Sequence, residues 1–311
     1  MDENRVMLLG ATGTIGRATY RVLVEEGYVP IAPVRQGSNT HHIAPEHLRF
    51  ARAGETLARE PVTAVISCIA SRSGLDAWEV DYALNSQALV AAIEACVPRF
   101  VLLSAICVQK PRLKFQFAKL AFEDELQASP LKWSIVRPTA FFKSLSGQAR
   151  RLKQGKPFLL FGDGELTSCK PISDRDAARY LVACLRDRKT ENRVLPIGGP
   201  GPALTPHEQG ELLFEALGVA PRFSSVPVGL MSAIAAALAP FKLVSKRARE
   251  KSELAQIGHY YATESMLVWD ADHGRYDADA TPEFGSDRLA DHYRALAAGE
   301  LEDDLGAHSV F

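Results

Sequence analysis

The stretch RVMLLGATGTIG, residues 5–16, constrains this chain more than any other. A short apolar run leads into glycines at 10, 13 and 16, an amphipathic segment follows to Gly27, and YVPIAPVR (28–35) reads as a second strand. Strand, glycine-rich turn, helix and strand in that order form a β-turn-α-β unit, and this glycine spacing is the one such units use to hold a dinucleotide. Gly10 allows a tight turn, Gly13 lets the backbone approach a pyrophosphate, and Gly16 lets the helix lie close against the strand. The helix N-terminus offers free N–H groups and the positive end of its dipole to phosphate. Thr12, Thr14 and Ile15 therefore join Gly10, Gly13 and Gly16 as candidate cofactor contacts.

The end of the second strand selects the cofactor. An NAD-binding unit usually places Asp or Glu there for the ribose 2′-hydroxyl, whereas this chain has PVRQGS, with Arg35 and no acid. A guanidinium binds a 2′-phosphate through charge-assisted hydrogen bonds, and a carboxylate would repel it. The expected cofactor is NADPH; the competing reading makes Arg35 a solvated surface residue. Arg17, just inside the helix, either assists or faces water.

The alternation continues with apolar strands at 47–52, 62–70, 99–105 and 131–138, and helices at 80–97 and from 115 onward. This predicts an α/β fold, a Rossmann-type doubly wound parallel sheet with a smaller, interwoven C-terminal substrate lobe. Residues 1–140 form the NADP(H)-binding domain, with some later segments returning to it, and 141–311 form the mixed α/β lobe. Ligands of such sheets sit at the carboxyl ends of strands. Gly10, Arg35, Ser67, Ser104 and Pro138 all fall at such ends. Ser67 and Cys68 should pass near the adenosine and pyrophosphate, and Pro138 and Thr139 should reach the nicotinamide.

Beyond residue 140 the pattern loosens. KPFLLFGDGELTSCKPIS reads as two short strands around the GDG turn, followed by helices at 174–187, 246–266 and 286–296, the last with a serine cap. Thr205, Pro206 and Glu208 form a capping box and Gly218 a stop for another helix. The apolar run 226–241 is too short to span a bilayer, which takes ~20 residues. It reads as a buried helix, with an interfacial helix as the alternative, leaving peripheral membrane contact open.

Lys and Arg total 36 against 37 Asp and Glu, which gives no global basicity for nucleic acid. Five scattered cysteines show no metal spacing and read as reduced thiols, with Cys68, Cys96 and Cys184 as core fillers. The eight histidines show no metal spacing either, and His41 and His42 read as solvated. The opening MDENR leads straight into the first strand with no signal-peptide apolar region after it, and no plastid transit peptide is visible. A bacterial, cytoplasmic protein is expected, with a place at the edge of a photosynthetic membrane as the variant.

LLGATGTIG, FVLLSA, Lys119 and SIVRPTAFF resemble the atypical, extended branch of the short-chain dehydrogenase/reductases. The longer stretches LLSAICVQKP, FQFAKLAFEDEL, IVRPTAFFKSLSGQ and LPIGGPGPALTPHEQGELLF are more specific. They are similar to the NADPH-dependent divinyl chlorophyllide 8-vinyl reductases, the type without iron–sulfur or flavin. The resemblance implies reduction of a tetrapyrrole vinyl group to ethyl in chlorophyll or bacteriochlorophyll biosynthesis. It implies Lys119 on the nicotinamide ribose. It also exposes a departure: the position four residues before this lysine, usually Tyr in the superfamily, is Phe115. Reduction of a conjugated vinyl group needs no acid on oxygen, so Phe115 is compatible with that chemistry and could face a flat pigment. Core packing is the equal alternative. Ser104 and Cys107 are the candidate polar groups near the reaction, each with a structural reading beside it. Phe141, Phe142 and Lys143 are candidate substrate contacts. Two rival functions stay open: an NADP(H)-binding redox sensor without turnover, and another NADPH-dependent reductase of the same branch.

Overall fold

The computed structural model describes residues 4–71, 74–241 and 245–301; the first three residues of the polar opening lie outside that range. The first unit is β1 (Arg5–Leu9), α1 (Thr14–Glu25) and β2 (Val29–Pro33). After it come β3 (Leu48–Arg49), α2 (Ala53–Leu57), β4 (Ala64–Ser67), a π-turn (Trp78–Ala83) running into α3 (Leu84–Glu94), β5 (Arg99–Leu103), α4 (Lys114–Gln127) and β6 (Lys132–Pro138). The chain then forms α5 (Phe142–Leu145), α6 (Ala149–Lys153), β7 (Phe158–Phe161), α7 (Asp174–Ala183), β8 (Arg193–Ile197), α8 (Pro206–Leu217) and β9 (Phe223–Val226). It closes with α9 (Gly229–Leu238), α10 (Lys246–Thr263), the hairpin β10 (Val268–Asp270) and β11 (Arg275–Asp277), and α11 (Leu289–Ala298).

Seven strands make one parallel sheet in the order β3-β2-β1-β4-β5-β6-β8. Strand order reverses between β1 and β4, which opens a crevice at their carboxyl ends. Alternate residues serve opposite faces, as the pleat requires. Val6, Leu8, Ile66 and Val136 pack under α1 and α7, whereas Met7, Leu9, Val65 and Ile135 pack under α3 and α4. Helix α7 and strand β8 thus return to the sheet from beyond residue 140.

The second lobe has its own core, in which Phe142, Phe158, Leu213, Phe214 and Tyr293 meet. Isolated bridges Phe141–Ile172, Cys169–Leu204 and Cys169–Met266 tie its segments to one another. The expected capping box forms, with Thr205 N–H donating to Glu208 Oε2 at 2.7 Å and Glu208 N–H to Thr205 Oγ1 at 3.3 Å. Gly218 ends that helix at φ 66°.

Several expectations are corrected. Only the first of the two strands around GDG forms among the described residues: β7 pairs in parallel with β9, no strand follows the turn before α7, and GDG is a turn with Gly162 and Gly164 both at positive φ. The 226–241 run forms α9, but it is not buried: of its described side chains only Ala235 is, and Leu230 and Ile234 are exposed. Cys96 is exposed at φ 53°, in the turn that ends α3, and is no core filler. Strand 47–52 shrinks to two residues, and the last helix starts at Leu289, so Ser286 does not cap it. Instead the Ser286 N–H donates to Asp176 at 2.9 Å.

Candidate active site

The glycine-rich turn has the geometry its sequence requires. Gly10 sits at φ +75°, and a Cβ there would lie 2.7 Å from the Cys68 carbonyl oxygen. A Cβ on Gly16 would lie 2.0 Å from the Gly10 carbonyl oxygen, so α1 rests on the turn itself. Gly13 is the N-cap of α1, makes no side-chain cap, and would meet only Gly10 O, at 3.4 Å. The first turn of the helix is therefore left uncapped toward the crevice, a cradle that fits the pyrophosphate of a dinucleotide. Arg17 Nε braces the loop on Thr12 O at 3.0 Å, and His42 Nε2 stands 3.0 Å from Ala11 O. His42 is thus no solvated side chain; it clamps the loop, and its burial holds its pKa below the usual value.

Beside this turn lies a cavity of about 490 Å³, within the roughly 300–1,000 Å³ typical of small-molecule sites. It gathers many of the candidate residues. Gly13, Thr14, Ile15 and Cys68 border its dinucleotide end, Pro138 and Thr139 follow β6, and Ser104 and Cys107 follow β5. Phe115, Lys119, Phe141 and Lys143 also line it. Gly10, Thr12 and Gly16 build the turn behind that wall. Arg35 stands apart, exposed just past β2, and makes no ion pair among the described residues.

Two candidates face elsewhere. Ser67 is fully buried and donates to Asn85 Oδ1 at 2.5 Å, so it supports the site from beneath. Phe142 is 3 % exposed and packs in the second-lobe core, which corrects its assignment to the substrate side. Adjacent residues at the start of α5 point to different sides, so Phe141 reaches the cavity and Phe142 cannot.

Lys119, on the second turn of α4, points its ammonium at Asp81 Oδ1, 2.9 Å away. The Asp81 side chain is fully buried, and both its oxygens also accept from the Ser71 N–H at 3.3 Å. Asn85 Nδ2 donates to Asp81 O at 2.9 Å, so a chain of bonds runs Ser67–Asn85–Asp81–Lys119. Sequence reasoning missed Asp81. The sequence offered no clear signal for it, since Glu79 stands in the same turn.

Other polar groups are committed. Ser104 donates its hydroxyl to the fully buried Glu123, which also holds Arg137. Thr139 donates to the Lys170 carbonyl. Glu264 is held by Lys110 at 2.7 Å, Arg112 at 2.8 Å and Tyr276 at 2.6 Å. Cys107 is 2 % exposed, and burial pushes its thiol pKa up, so it stays protonated. Asp174, at the start of α7, carries a buried Oδ1 with no hydrogen-bond partner among the described residues, and burial raises its carboxyl to about 6.

Leu254, Ile257, Gly258 and Tyr261 close the cavity from α10 at helical spacing, with Met266 beyond them. Combined with Phe115 and Phe141, they make a broad apolar part of the cavity lining. Among the described residues no helix is long and apolar enough to cross a membrane.

Residues 10–188 match a family model described as NAD(P)H-binding. The chain is 43% identical over 335 residues to divinyl chlorophyllide a 8-vinyl-reductase, chloroplastic, of Cucumis sativus, covering 99% of this chain and 80% of that one. It is 42% identical to the protein of the same name from Oryza sativa subsp. indica, covering 100% and 83%. Among solved structures, the Bordetella bronchiseptica enzyme WbmH in complex with NAD+ superposes with a TM-score of 0.66 at 17% identity, covering 97% of this chain and 100% of that one. That likeness concerns the fold. The plant relatives are named chloroplastic, as are those of Zea mays and Arabidopsis thaliana, so the bacterial, cytoplasmic location expected from the sequence does not stand.

Proposed function

We propose a reaction for a chain that belongs to the divinyl chlorophyllide a 8-vinyl-reductase family: NADPH-dependent reduction of the 8-vinyl group of a 3,8-divinyl chlorophyll precursor to ethyl. The observation that carries the reading is one cavity in which a dinucleotide turn, a buried Lys119–Asp81 pair and a broad apolar wall meet, with no hydroxyl at position 115.

Bound NADPH supplies the hydride. Gly10, Thr12, Gly13, Thr14, Ile15 and Gly16 would hold its pyrophosphate, with Cys68 beside them. Arg35 would take the 2′-phosphate, which favours NADPH over NADH. Lys119, fixed by Asp81, would hold the nicotinamide ribose, with Pro138 and Thr139 shaping the ring's place. Phe115, Phe141 and the α10 stripe would enclose the macrocycle and keep water from the reacting carbons. Lys143, the cavity's cation on α5, would pair with the propionate of an unesterified pigment. An unesterified precursor, chlorophyllide or protochlorophyllide, is preferred over an esterified one on that account, because an ester offers Lys143 no carboxylate.

The test is direct. Purified protein is mixed with NADPH and 3,8-divinyl chlorophyllide, and pigment products are separated. A monovinyl product formed in step with NADPH oxidation supports the reading. NADPH binding without turnover on either chlorophyllide or protochlorophyllide refutes it and favours a redox sensor.

A further inference from the structure

We propose that Tyr261, on the second-lobe helix α10, is the proton donor of the vinyl reduction, standing in for the hydroxyl that position 115 lacks. The inference rests on the vinyl-reductase reading above and names the group that completes it.

Reducing a vinyl group needs a proton as well as a hydride. One vinyl carbon accepts the hydride, and the electron pair of the C=C bond passes into the conjugated macrocycle. The other carbon then takes a proton: an O–H bond breaks, a C–H bond forms, and the donor, left as an anion, regains its proton from water. The donor must therefore stand in the cavity, carry an unspent proton, and reach carbon through an apolar surround.

Several cavity groups fail one of these demands. The hydroxyls of Ser104 and Thr139 donate into the protein, to Glu123 and to the Lys170 carbonyl. Glu264 is spent on two cations and a phenol. The Lys119 ammonium is bound to Asp81. Asp174 stands on the wall shared with Lys143, whose charge it feels, and that wall serves the propionate. Cys107 lies behind the surface at 2 % exposure.

Tyr261 meets all three demands. It is 38 % exposed and lines the cavity, on the same apolar face of α10 as Leu254, Ile257 and Gly258. Among the described residues its hydroxyl has only a long contact, 4.0 Å to Cys107 Sγ, and so is easily turned toward a ligand. Its neighbour Tyr260 is tied instead to the Cys107 and Lys110 carbonyls at 2.8 and 3.1 Å, so the two tyrosines divide structural and chemical roles. Cys107, Ile257 and Phe115 share one cluster, and Tyr261 lines the same cavity as Lys119, Pro138 and Thr139, the residues expected around the nicotinamide. Burial of the hydroxyl pushes its pKa well up, so the phenol keeps its proton until a carbanion, a far stronger base, draws it.

The experiment compares wild type with Tyr261→Phe, using 3,8-divinyl chlorophyllide and NADPH. Turnover, NADPH binding by fluorescence, and the NMR signal of ¹³Cζ-tyrosine are each measured. The Tyr261 resonance is identified by its absence from the variant. The expected result is a kcat lowered by at least about 100-fold, as loss of a general acid gives, with NADPH bound as tightly as before. The Tyr261 resonance of the wild type should also shift when the pigment is added with NADP+. Wild-type turnover by Tyr261→Phe, an unmoved resonance, or a rate loss matched by lost NADPH binding overturns the assignment. If the wild type itself leaves the vinyl group intact, the vinyl-reductase reading falls first and this inference with it.

Discussion

Lys119 Nζ and Asp81 Oδ1 stand 2.9 Å apart, locking α4 to the π-turn before α3 at the edge of the cavity. The aspartate side chain is fully buried and the lysine is 11 % exposed, so neither finds water in place of the other. Removing one partner of a buried pair strands the other charge, at a cost of about 3–5 kcal/mol. Asp81→Ala should therefore lower unfolding stability by several kcal/mol, read by denaturant titration. Asp81→Asn, which keeps the shape, should retain the fold but lose at least roughly tenfold in kcat/KM, because Lys119 is no longer aimed. Full activity in Asp81→Asn would remove aspartate from the site.

Arg35 is exposed and makes no ion pair among the described residues, so its charge is available to a ligand. A charge-assisted hydrogen bond contributes about 1.5–3 kcal/mol, roughly a 10- to 100-fold change in affinity. Arg35→Ala should raise the KM for NADPH by that factor and leave the KM for NADH nearly unchanged. Equal losses for both cofactors would assign the 2′-phosphate to another residue.

Gly16 cannot carry a side chain where it stands, since a Cβ would come 2.0 Å from the Gly10 carbonyl oxygen. Gly16→Ala must push α1 off the glycine-rich turn. Overpacking of this kind typically costs about 1–3 kcal/mol, and here it also displaces the pyrophosphate cradle. Lower thermal stability together with weaker NADPH binding is expected; unchanged binding would separate the cradle from cofactor recognition.

The β1–α1–β2 unit was legible because its signals are local: an apolar run, three spaced glycines, an amphipathic helix. The parallel sheet followed from the same alternation. Asp81 was not legible, since its meaning comes from Lys119, which only the packing of α4 on the π-turn brings near. Tyr261 was hidden for the same reason: in the sequence it is one of two adjacent tyrosines on a charged helix, and only folding turns it toward the cavity. Phe142 misled because period and face are uncertain just past a strand, where one residue of shift exchanges cavity for core. The 226–241 run misled because composition reports apolarity, whereas exposure depends on whether another element covers it.

Asp174 gives a pH signature. Its carboxyl is raised from 3.8 to about 6 by burial, so the folded state holds this proton more tightly than the unfolded chain does. The contribution to stability is full below pH 3.8 and is lost as pH rises to about 6. Above that, folding bears the cost of a buried carboxylate. Asp174→Asn should therefore stabilise the protein at pH 8 by about 1–2 kcal/mol, less than the whole shift because the Lys143 charge and cavity water offset part of it. The gain should shrink steadily toward pH 4. A gain independent of pH would mean that the effect comes from packing rather than from the proton.

Phe115 stands four residues before Lys119 on α4 and lines the cavity among Ile106, Cys107 and Met266. If the missing hydroxyl were a defect, Phe115→Tyr would repair it and kcat would climb. With Tyr261 on α10 as donor, the new hydroxyl has no proton to contribute that the site lacks. It enters an apolar surface instead, and a buried hydroxyl without a partner costs about 1–3 kcal/mol. The expected outcome is no gain in kcat and a higher KM for the divinyl pigment, measured with NADPH saturating. A large rise in kcat would show that the proton is delivered from the α4 side, and would move the acid from Tyr261 to position 115.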